Sequence, residues 1–577
     1  MERESGKIAE RPFDGETAAA LEAAGLPRLT AKLLAQRGIG PDGAEAYFSP
    51  CAQGFPDPRA LPGAEAAAKA VLAAARAAKR IVVFGDYDCD GVCATAIMLS
   101  AIAAVQPPGA PEPSPFLPRR LDEGYGMTDA SVARMLADNP GVALVVTVDN
   151  GVNSVREIAA LKERGIETVV TDHHLPGEEK PSCAALVNPV LDGTPAEYGC
   201  LCGAGVAFLI AHLMVETAKK EGFYAGPKIA GPMLVLAGIA TVTDIMPLKG
   251  VNRFLVAKAL DCFKRHAPVG IRELFSRASR TGVQKLTARD FGFLIGPRMN
   301  AAGRMADAVE ALELATTSDK EIARECARIV DLRNSERKNA ETAMCEEAFS
   351  KIVPGAPAQV VCLSSGHPGV AGIVAARTLE KMSSMPDAKP VPVCVVVDGR
   401  GSARAPAGYN VRDAFAESAE ALDRFGGHAA AGGVSVKDGM DGRFAELFGA
   451  ACARQAASGG FPPAGAVTVD SWVAPDDLTL EFVASLSRME PFGEGNPEPV
   501  FALRGARLRD VRPIGAEGRH LQFCIEGWDG ARAVWWGGGP EIERLRAKGP
   551  AGLDLVFTAA VSDYGAPHVE LRIASAV

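Results

Sequence analysis

From Ile81 onward the chain alternates short, uninterrupted apolar runs with longer stretches whose apolar positions recur at helical spacing. IVVF at Ile81–Phe84 precedes a helical pattern over Ala94–Ala104, ALVVTV at Ala143–Val148 precedes Ser154–Arg164, and ETVVT follows at Glu167–Thr171. Strands apolar on both faces belong to parallel sheets covered by crossover helices, so this rhythm predicts βαβ units. In such sheets ligands bind beyond the carboxyl ends of the strands, so the residues that follow each run matter most. Asp319–Ser350 is rich in Glu, Arg and Ala and contains neither Pro nor Gly, the pattern of a long exposed helix joining two bodies. A second α/β block follows over Gln359–Leu447, with apolar runs at Val360–Leu363 and Val393–Val397.

Beyond a Gly-, Pro- and Ala-rich linker at Ala456–Ala466 the pattern changes to strand-length segments, LRDVRPI, LQFCIEG, ARAVWW, LDLVFTAAV and HVELRIA, separated by turn residues. Short strands at regular spacing predict a small antiparallel barrel of the OB type. The expected fold class is α/β: a parallel-sheet domain and a smaller α/β domain joined by a long helix, followed by a C-terminal OB-like β-barrel. The expected divisions are a helical segment at 1–60, the first α/β domain at 61–318, the connecting helix at 319–355, the second α/β domain at 356–455 and the barrel at 465–577.

Composition narrows the picture. The 577 residues allow roughly three or four domains, and 48% hydrophobic against 23% charged residues excludes disorder, collagen and coiled coil. The 70 acidic and 61 basic side chains give a net charge of −9, which excludes coating of nucleic acid by bulk positive charge; any such binding is local. Thirteen cysteines form no C-x-x-C pair, so reduced thiols are expected rather than a zinc knuckle or a disulfide framework. Ile229–Thr243 is apolar but stops at Asp244, short of the roughly 20 residues of a membrane span, and MERESGKIAERPFDGE is no signal peptide. A soluble, cytoplasmic protein without membrane contact is expected. A P-loop and a strand-linked G-x-G-x-x-G are both missing, so neither Walker-type hydrolysis nor dinucleotide binding is supported.

The candidate chemistry sits at the strand ends. After IVVF comes GDYDCDG, with Asp86, Asp88 and Asp90 at alternate positions; after ALVVTV comes Asp149; after ETVVT comes Asp172-His173-His174. Each piece has an ordinary structural reading: Asp90 as a helix N-cap, DHH as a polar loop, and D-x-D-x-D-G as a calcium loop, which lacks its Glu. Three successive strands delivering carboxylates and imidazoles to one sheet edge are another matter, because like charges in a partly dry site repel by several kcal/mol, on the order expected at about 4 Å. A divalent ion pair resolves that repulsion. Mixed carboxylate and imidazole ligation suits Mn²⁺ or Mg²⁺, and two such ions imply hydrolysis of a phosphoester or phosphoanhydride.

The motifs VFGDYDCDG, PRRLDEGYGM, VTVDNGV, TDHHLP, LVNP, LCGAGVAF, GIATVTDIMPLKGVNR, IGPRMNAAGR, SGHPGVAGIVAAR, GSARA, FGGHAAAGG and PFGEGNPEPVF together resemble the DHH phosphoesterase superfamily, and within it the single-strand-specific 5′→3′ exonucleases. The resemblance covers nearly the whole chain. It implies that Asp86, Asp88 and Asp90 supply the first ligands of two Mn²⁺ or Mg²⁺ ions, that Asp149 bridges them, and that His173 and Asp244 complete the shell. Which two of the three GDYDCDG aspartates touch metal stays open. His174 is implied to polarise the scissile phosphate or assist the leaving oxygen, with Asp172 orienting the imidazoles.

Phosphate contacts are expected from Arg120, Arg298, Arg304, Ser402 and Arg404, in motifs whose small neighbours let a strand approach. His428, in FGGHAAAGG, is implied to contact the terminal phosphate or nucleotide from the DHH-associated domain. In the barrel, Arg504, Arg507, Arg509, Arg512, Arg519 and Arg532 alternate with Phe523, Trp528, Trp535 and Trp536, the mixture that sequence-tolerant single-strand binding uses. The family implies single-stranded DNA as substrate, 5′-mononucleotides as products, a role in recombination and repair, single-strand binding protein and a helicase as partners, and a monomer. Two other readings are a DHH-type phosphodiesterase or phosphatase acting on short oligonucleotides or small phosphate substrates, and a non-catalytic scaffold on a decayed fold.

Overall fold

The computed structural model describes residues 8–120, 122–124, 126–223, 229–279, 285–383, 385, 389–459, 467–562 and 566–577. Leu121 and Tyr125 of PRRLDEGYGM, and 460–466 of the expected linker, lie outside these residues. The chain divides into two compact units: 57–246 with 258–463, and 1–56 with 247–257 and 464–577.

The larger unit is built on a parallel sheet of β1 (Ile81–Phe84), β2 (Ser114–Phe116), β3 (Leu144–Val148), β4 (Glu167–Thr171) and β5 (Ala185–Val187), in the order β2-β1-β3-β4-β5. β1 and β3 are buried throughout, as their unbroken apolar runs require. Register pairs Phe84 with Thr147 and Val148 with Thr171, so β1, β3 and β4 end side by side and release their following residues at one edge. Ala-rich α1 (Ala64–Arg76), α2 (Cys89–Val105) and α3 (Gly203–Lys220) pack against the sheet, α4 (Ala230–Thr243) packs on α2 and α3, and α2 and α3 are almost wholly buried. α5 (Gly296–Met305) precedes the long α6 (Lys320–Ser350). Asp319 caps α6 by accepting from the N–H groups of Glu321 and Ile322.

α6 leads into a second, mixed sheet of β6 (Gln359–Cys362), β7 (Val393–Val397), β8 (Arg400–Arg404), β9 (Leu422–Gly427) and β10 (Ala431–Val436), ordered β9-β10-β8-β7-β6, with α7 (Ala371–Ser383) against it. The β9–β10 hairpin carries the FGGHAAAGG motif, and its outer strand is exposed from Asp423 to Gly427.

In the other unit a seven-stranded sheet runs β11 (Ser471–Trp472), β12 (Phe501–Ala506), β16 (Leu553–Ser562), β17 (His568–Ala576), β15 (Ala531–Trp535), β14 (His520–Ile525) and β13 (Leu508–Ile514). The sequence pattern predicts antiparallel pairing, and most ladders are antiparallel; β11–β12 and β15–β17 are parallel. The latter follows from the helix Ile542–Lys548 and strand β16 that intervene, letting the chain return in the same direction. The N-terminal helices are part of this core: Leu21, Leu33 and Leu34 are buried in one cluster with Phe501, Phe523 and Phe557. Arg253, in the inserted segment 247–257, donates to the carbonyls of Tyr47, Met489, Glu490 and Pro491, with its guanidinium 4.1 Å from the centre of the Tyr47 ring. Asn496, from PFGEGNP, accepts from the Tyr47 hydroxyl at 2.8 Å and donates to Met489 and Pro491.

Candidate active site

The three aspartates of GDYDCDG leave β1 on a turn that becomes the start of α2, and each has a different job. Asp88 is the N-cap, accepting from the N–H groups of Asp90 and Gly91 at 2.9 and 3.1 Å. The cap that the ordinary structural reading placed at Asp90 is therefore Asp88, because the helix begins two residues earlier. Asp90 instead reaches the beginning of α3, where its two oxygens accept from Gly203 and Ala204 at 2.7 and 2.8 Å, satisfying orphan donors at the positive helix end. Asp86 is buried, and its Oδ1 has no hydrogen-bond partner among the described residues. Gly91 permits this packing: a Cβ there would lie 2.6 Å from Asp86. Asn300 of α5 accepts from the Cys89 N–H at 2.7 Å and pins the turn.

Asp149 directly follows β3 with φ +63°, a region a residue with a side chain occupies only at a cost of order 1–3 kcal/mol. Asn150 holds it there by donating to the carbonyls of Phe84 and Val148. Gly203 lets α3 approach, since a Cβ there would lie 2.5 Å from that of Asp149. His173, after β4, places Nε2 3.1 Å from Asp149, 3.6 Å from Asp90 and 3.7 Å from Asp244. Asp244 is the C-cap residue of α4. Asp172 is buried and accepts from the backbone of Val152, His173 and His174 and, at 2.8 Å, from Nδ1 of His174. Asn188, of LVNP, anchors the His174 carbonyl at 2.8 Å.

The electrostatics follow from burial. Loss of water, then the neighbouring carboxylates, pushes Asp86 and Asp149 far above the usual carboxylate range, raises Asp88, and takes Asp244 up to about 8. Burial lowers His173 and keeps its imidazole neutral, the form that ligates metal. For His174 burial is outweighed by the hydrogen bond and charge of Asp172, so its pKa rises to about 9. Burial would raise Asp172, but hydrogen bonding to His174 prevails and lowers it.

Three overlapping sets, Asp86/Asp88/Asp149, Asp90/His173/Asp244 and Asp149/His173/His174, each bring their ligand atoms within 4.8 Å of one another. Asp149 is common to two of them, as a bridging ligand must be. The residues fit a divalent ion pair: the donors are hard oxygens and neutral imidazole, the carboxylates repel one another, and the buried Oδ1 of Asp86 has no hydrogen bond among the described residues.

Beside this cluster lies a group of arginines. Arg120 stacks over Tyr87, its guanidinium 5.1 Å from the ring centre. Arg304 is brought down to about 10 by burial and by Arg120, Arg337 and Arg404, with Asp88 opposing. Arg404 donates to Ser402 at 3.2 Å and rests against Gly372 at the start of α7. Burial and Arg120 lower it as well. Arg337 belongs here but carries no motif signal in the sequence; it projects from α6, held by Asn334 and Glu341. Arg298 is placed otherwise. Its Nε donates to Asp331 at 2.8 Å and its Nη1 to the Leu294 carbonyl, tying α5 to α6. His428 sits exposed at the β9–β10 hairpin tip, its backbone N–H donating to Ala431.

In the other unit the six expected arginines are all exposed. Phe523, turned inward by alternation along β14, and Trp528, in the turn that follows it, are core residues. Trp536 is 60% exposed, 4.9 Å from the His520 ring, and Arg504 covers Trp472.

A parallel sheet that delivers an acid–imidazole cluster from three adjacent strand ends, followed by a second α/β body, defines a DHH-type protein. Residues 80–239 match the family model for the DHH family, N-terminal domain, and residues 469–574 that for the RecJ OB domain. Among named relatives, the single-stranded-DNA-specific exonuclease RecJ of Thermus thermophilus is 35% identical over 89% of this chain and 73% of its own length. RecJ of Bacillus subtilis is 30% identical over 89% of this chain, which spans 64% of that relative's length. The crystal structure of Thermus thermophilus RecJ in complex with Mn²⁺ superposes with a TM-score of 0.80 at 30% identity, covering 99% of this chain and 79% of that one. The chain belongs to the RecJ family.

Proposed function

We propose that this chain is a metal-dependent 5′→3′ exonuclease that hydrolyses single-stranded DNA to 5′-mononucleotides in recombination and repair. The observation that carries this reading is the juxtaposition, in one unit, of the carboxylate–imidazole cluster with the Arg120/Arg304/Arg404 group, the arrangement a phosphodiester needs. Kinship with single-stranded-DNA-specific exonucleases and with a Mn²⁺-bound structure supports it.

In this reading Asp86, Asp88, Asp90, Asp149, His173 and Asp244 hold the Mn²⁺ or Mg²⁺ pair. When bound, the ions supply Lewis-acid polarisation of a phosphoryl oxygen and neutralise developing charge. The guanidinium forks of Arg120, Arg304 and Arg404, with the Ser402 hydroxyl, take phosphate oxygens, and His428 contributes from the hairpin tip. Water oxygen bonds to phosphorus and releases a proton to solvent while the P–O3′ bond to the terminal nucleotide breaks. The leaving O3′ takes a proton, and His174, whose Nδ1 is fixed on Asp172, presents its remaining ring nitrogen for that transfer. Each cycle releases one 5′-mononucleotide and leaves a new 5′-phosphate. The exposed arginines and Trp536 of the OB-type unit hold single strand by charge and stacking. A cytoplasmic location, a monomeric state, and single-strand binding protein and a helicase as partners belong to the same reading.

The decisive test is a time course with Mn²⁺ on one strand labelled at either end in turn. A 5′ label should appear at once as mononucleotide, while a 3′ label shortens stepwise. Immediate mononucleotide from the 3′ label, or faster cleavage of a dinucleotide than of the long strand, would overturn the reading, the latter favouring a short-oligonucleotide phosphodiesterase.

A further inference from the structure

Arg304 donates to the Gly369 carbonyl, and Arg404 to the Ala403 carbonyl and the Ser402 hydroxyl, all of them neutral acceptors. Arg337, on α6, differs: its Nη1 donates to the Glu341 carboxylate at 2.6 Å. Its Nε and Nη2 converge on Oδ1 of the buried Asn334 at 3.3 and 3.2 Å, which fixes the direction of the fork. Spacings of three and four residues put Asn334, Arg337 and Glu341 on one face of the helix. The side chains of the charged pair are only 11% and 17% exposed.

Glu341 answers to a second cation. Its other oxygen accepts from Nε of Arg377, on α7, at 3.3 Å. α7 in turn begins against two residues of the arginine group: a Cβ at Gly372 would lie 2.9 Å from Oγ of Ser402 and 3.1 Å from Nη2 of Arg404. Burial lowers Arg304, and the charge of Arg337 adds to that lowering along with those of Arg120 and Arg404. Arg337 therefore contributes positive charge to the group, and the carboxylate of Glu341 offsets part of it.

We propose that the Arg337–Glu341 pair sets how strongly the arginine group prefers a strand ending in a 5′-phosphate over one ending in a 5′-hydroxyl, Arg337 raising that preference and Glu341 holding it down. A terminal phosphate carries roughly two negative charges near neutral pH, and a hydroxyl carries none. A charge set back from the strand separates the two ends without touching either, and partial burial weakens its screening by salt. Damping serves turnover on the nuclease reading above, on which the proposal rests. The 5′-phosphate leaves with every released mononucleotide, so a group holding it at full strength would retain product.

The test is equilibrium binding in EDTA, followed by fluorescence anisotropy, of one 3′-labelled strand carrying either a 5′-phosphate or a 5′-hydroxyl. Wild type is compared with Glu341→Gln, Arg337→Gln and Arg337→Lys. Gln at position 341 keeps an acceptor for both arginines and removes only the charge. The preference for the phosphorylated strand, as a ratio of Kd values, should rise about fivefold for Glu341→Gln and fall about fivefold for Arg337→Gln. Arg337→Lys, which keeps the charge, should stay near wild type. Misfolding cannot mimic the tighter binding expected of Glu341→Gln. A pair that only ties helices would move both Gln variants the same way, and that result, or an unchanged ratio in both, would overturn the proposal. The expected ratios in a protein that degrades no strand in Mn²⁺ would instead sink the nuclease reading and leave the charge pair standing.

Discussion

The chain buries two dense groups of polar side chains, and they behave in opposite ways. Around Tyr47, Arg253 and Asn496, in the unit containing the OB-type sheet, the Arg253 guanidinium meets four carbonyls and Asn496 meets two of the same four together with the Tyr47 hydroxyl. Around Asp86, Asp88, Asp149 and Asp244, carboxylates face one another and are all pushed upward, first by burial and then by each other. Buried polar groups that satisfy themselves define a structure. A group left in mutual repulsion is stabilised only by something that enters, and here that is a cation. Motif strength in the sequence does not separate the two: GVNR and PFGEGNP build the first group, GDYDCDG and TDHH the second.

The sharpest way to break the comparison is substitution within each group. Asp149→Asn should lower strand hydrolysis by at least about a thousandfold while leaving the metal-free protein as stable as wild type or more so, because it relieves like-charge repulsion. Thermal melting in EDTA checks the second half. Arg253→Met should do the reverse. It strands several buried carbonyls and should destabilise by about 2–4 kcal/mol in denaturant titration.

A finer test lies between the groups. Asn300 touches the backbone of the acidic turn rather than its carboxylates, so Asn300→Ala should cost about 10–100-fold in rate, by analogy with residues that orient ligands, with little change in melting temperature. Smallest of all, Arg298→Ala should remove a helix tie of about 1 kcal/mol and leave KM for the strand unchanged, since its partner is Asp331. A raised KM would return Arg298 to the phosphate group.

Much of this was legible in the chain itself. The runs at Ile81–Phe84, Glu167–Thr171 and Val393–Val397 are strands at those bounds, and the long helix begins at Lys320, one residue inside its expected start. The acidic cluster was legible because every ligand but Asp244 follows a strand and parallel register does the rest, whereas Asp244 ends the helix α4 and was implied only by the resemblance. What local pattern misses is partnership across distance. Leu21 and Phe557 share a core, Arg253 answers to residues more than 200 positions away, and Arg298 finds Asp331 on another helix 33 positions along the chain. The short β2 and β5 were missed because edge strands of three residues carry too little periodicity. Phe523 and Trp528 read equally as platform or core until the sheet assigns their faces.

The account's central claim is that the acidic cluster exists to be filled by divalent cations. Calorimetric titration of the metal-free protein with Mn²⁺ tests it most directly, alongside Asp149→Asn. About two ions per chain should bind to wild type, and the variant, lacking the carboxylate common to two of the ligand sets, should lose that binding. Absence of Mn²⁺ uptake by the wild type, or identical uptake by the variant, would contradict it.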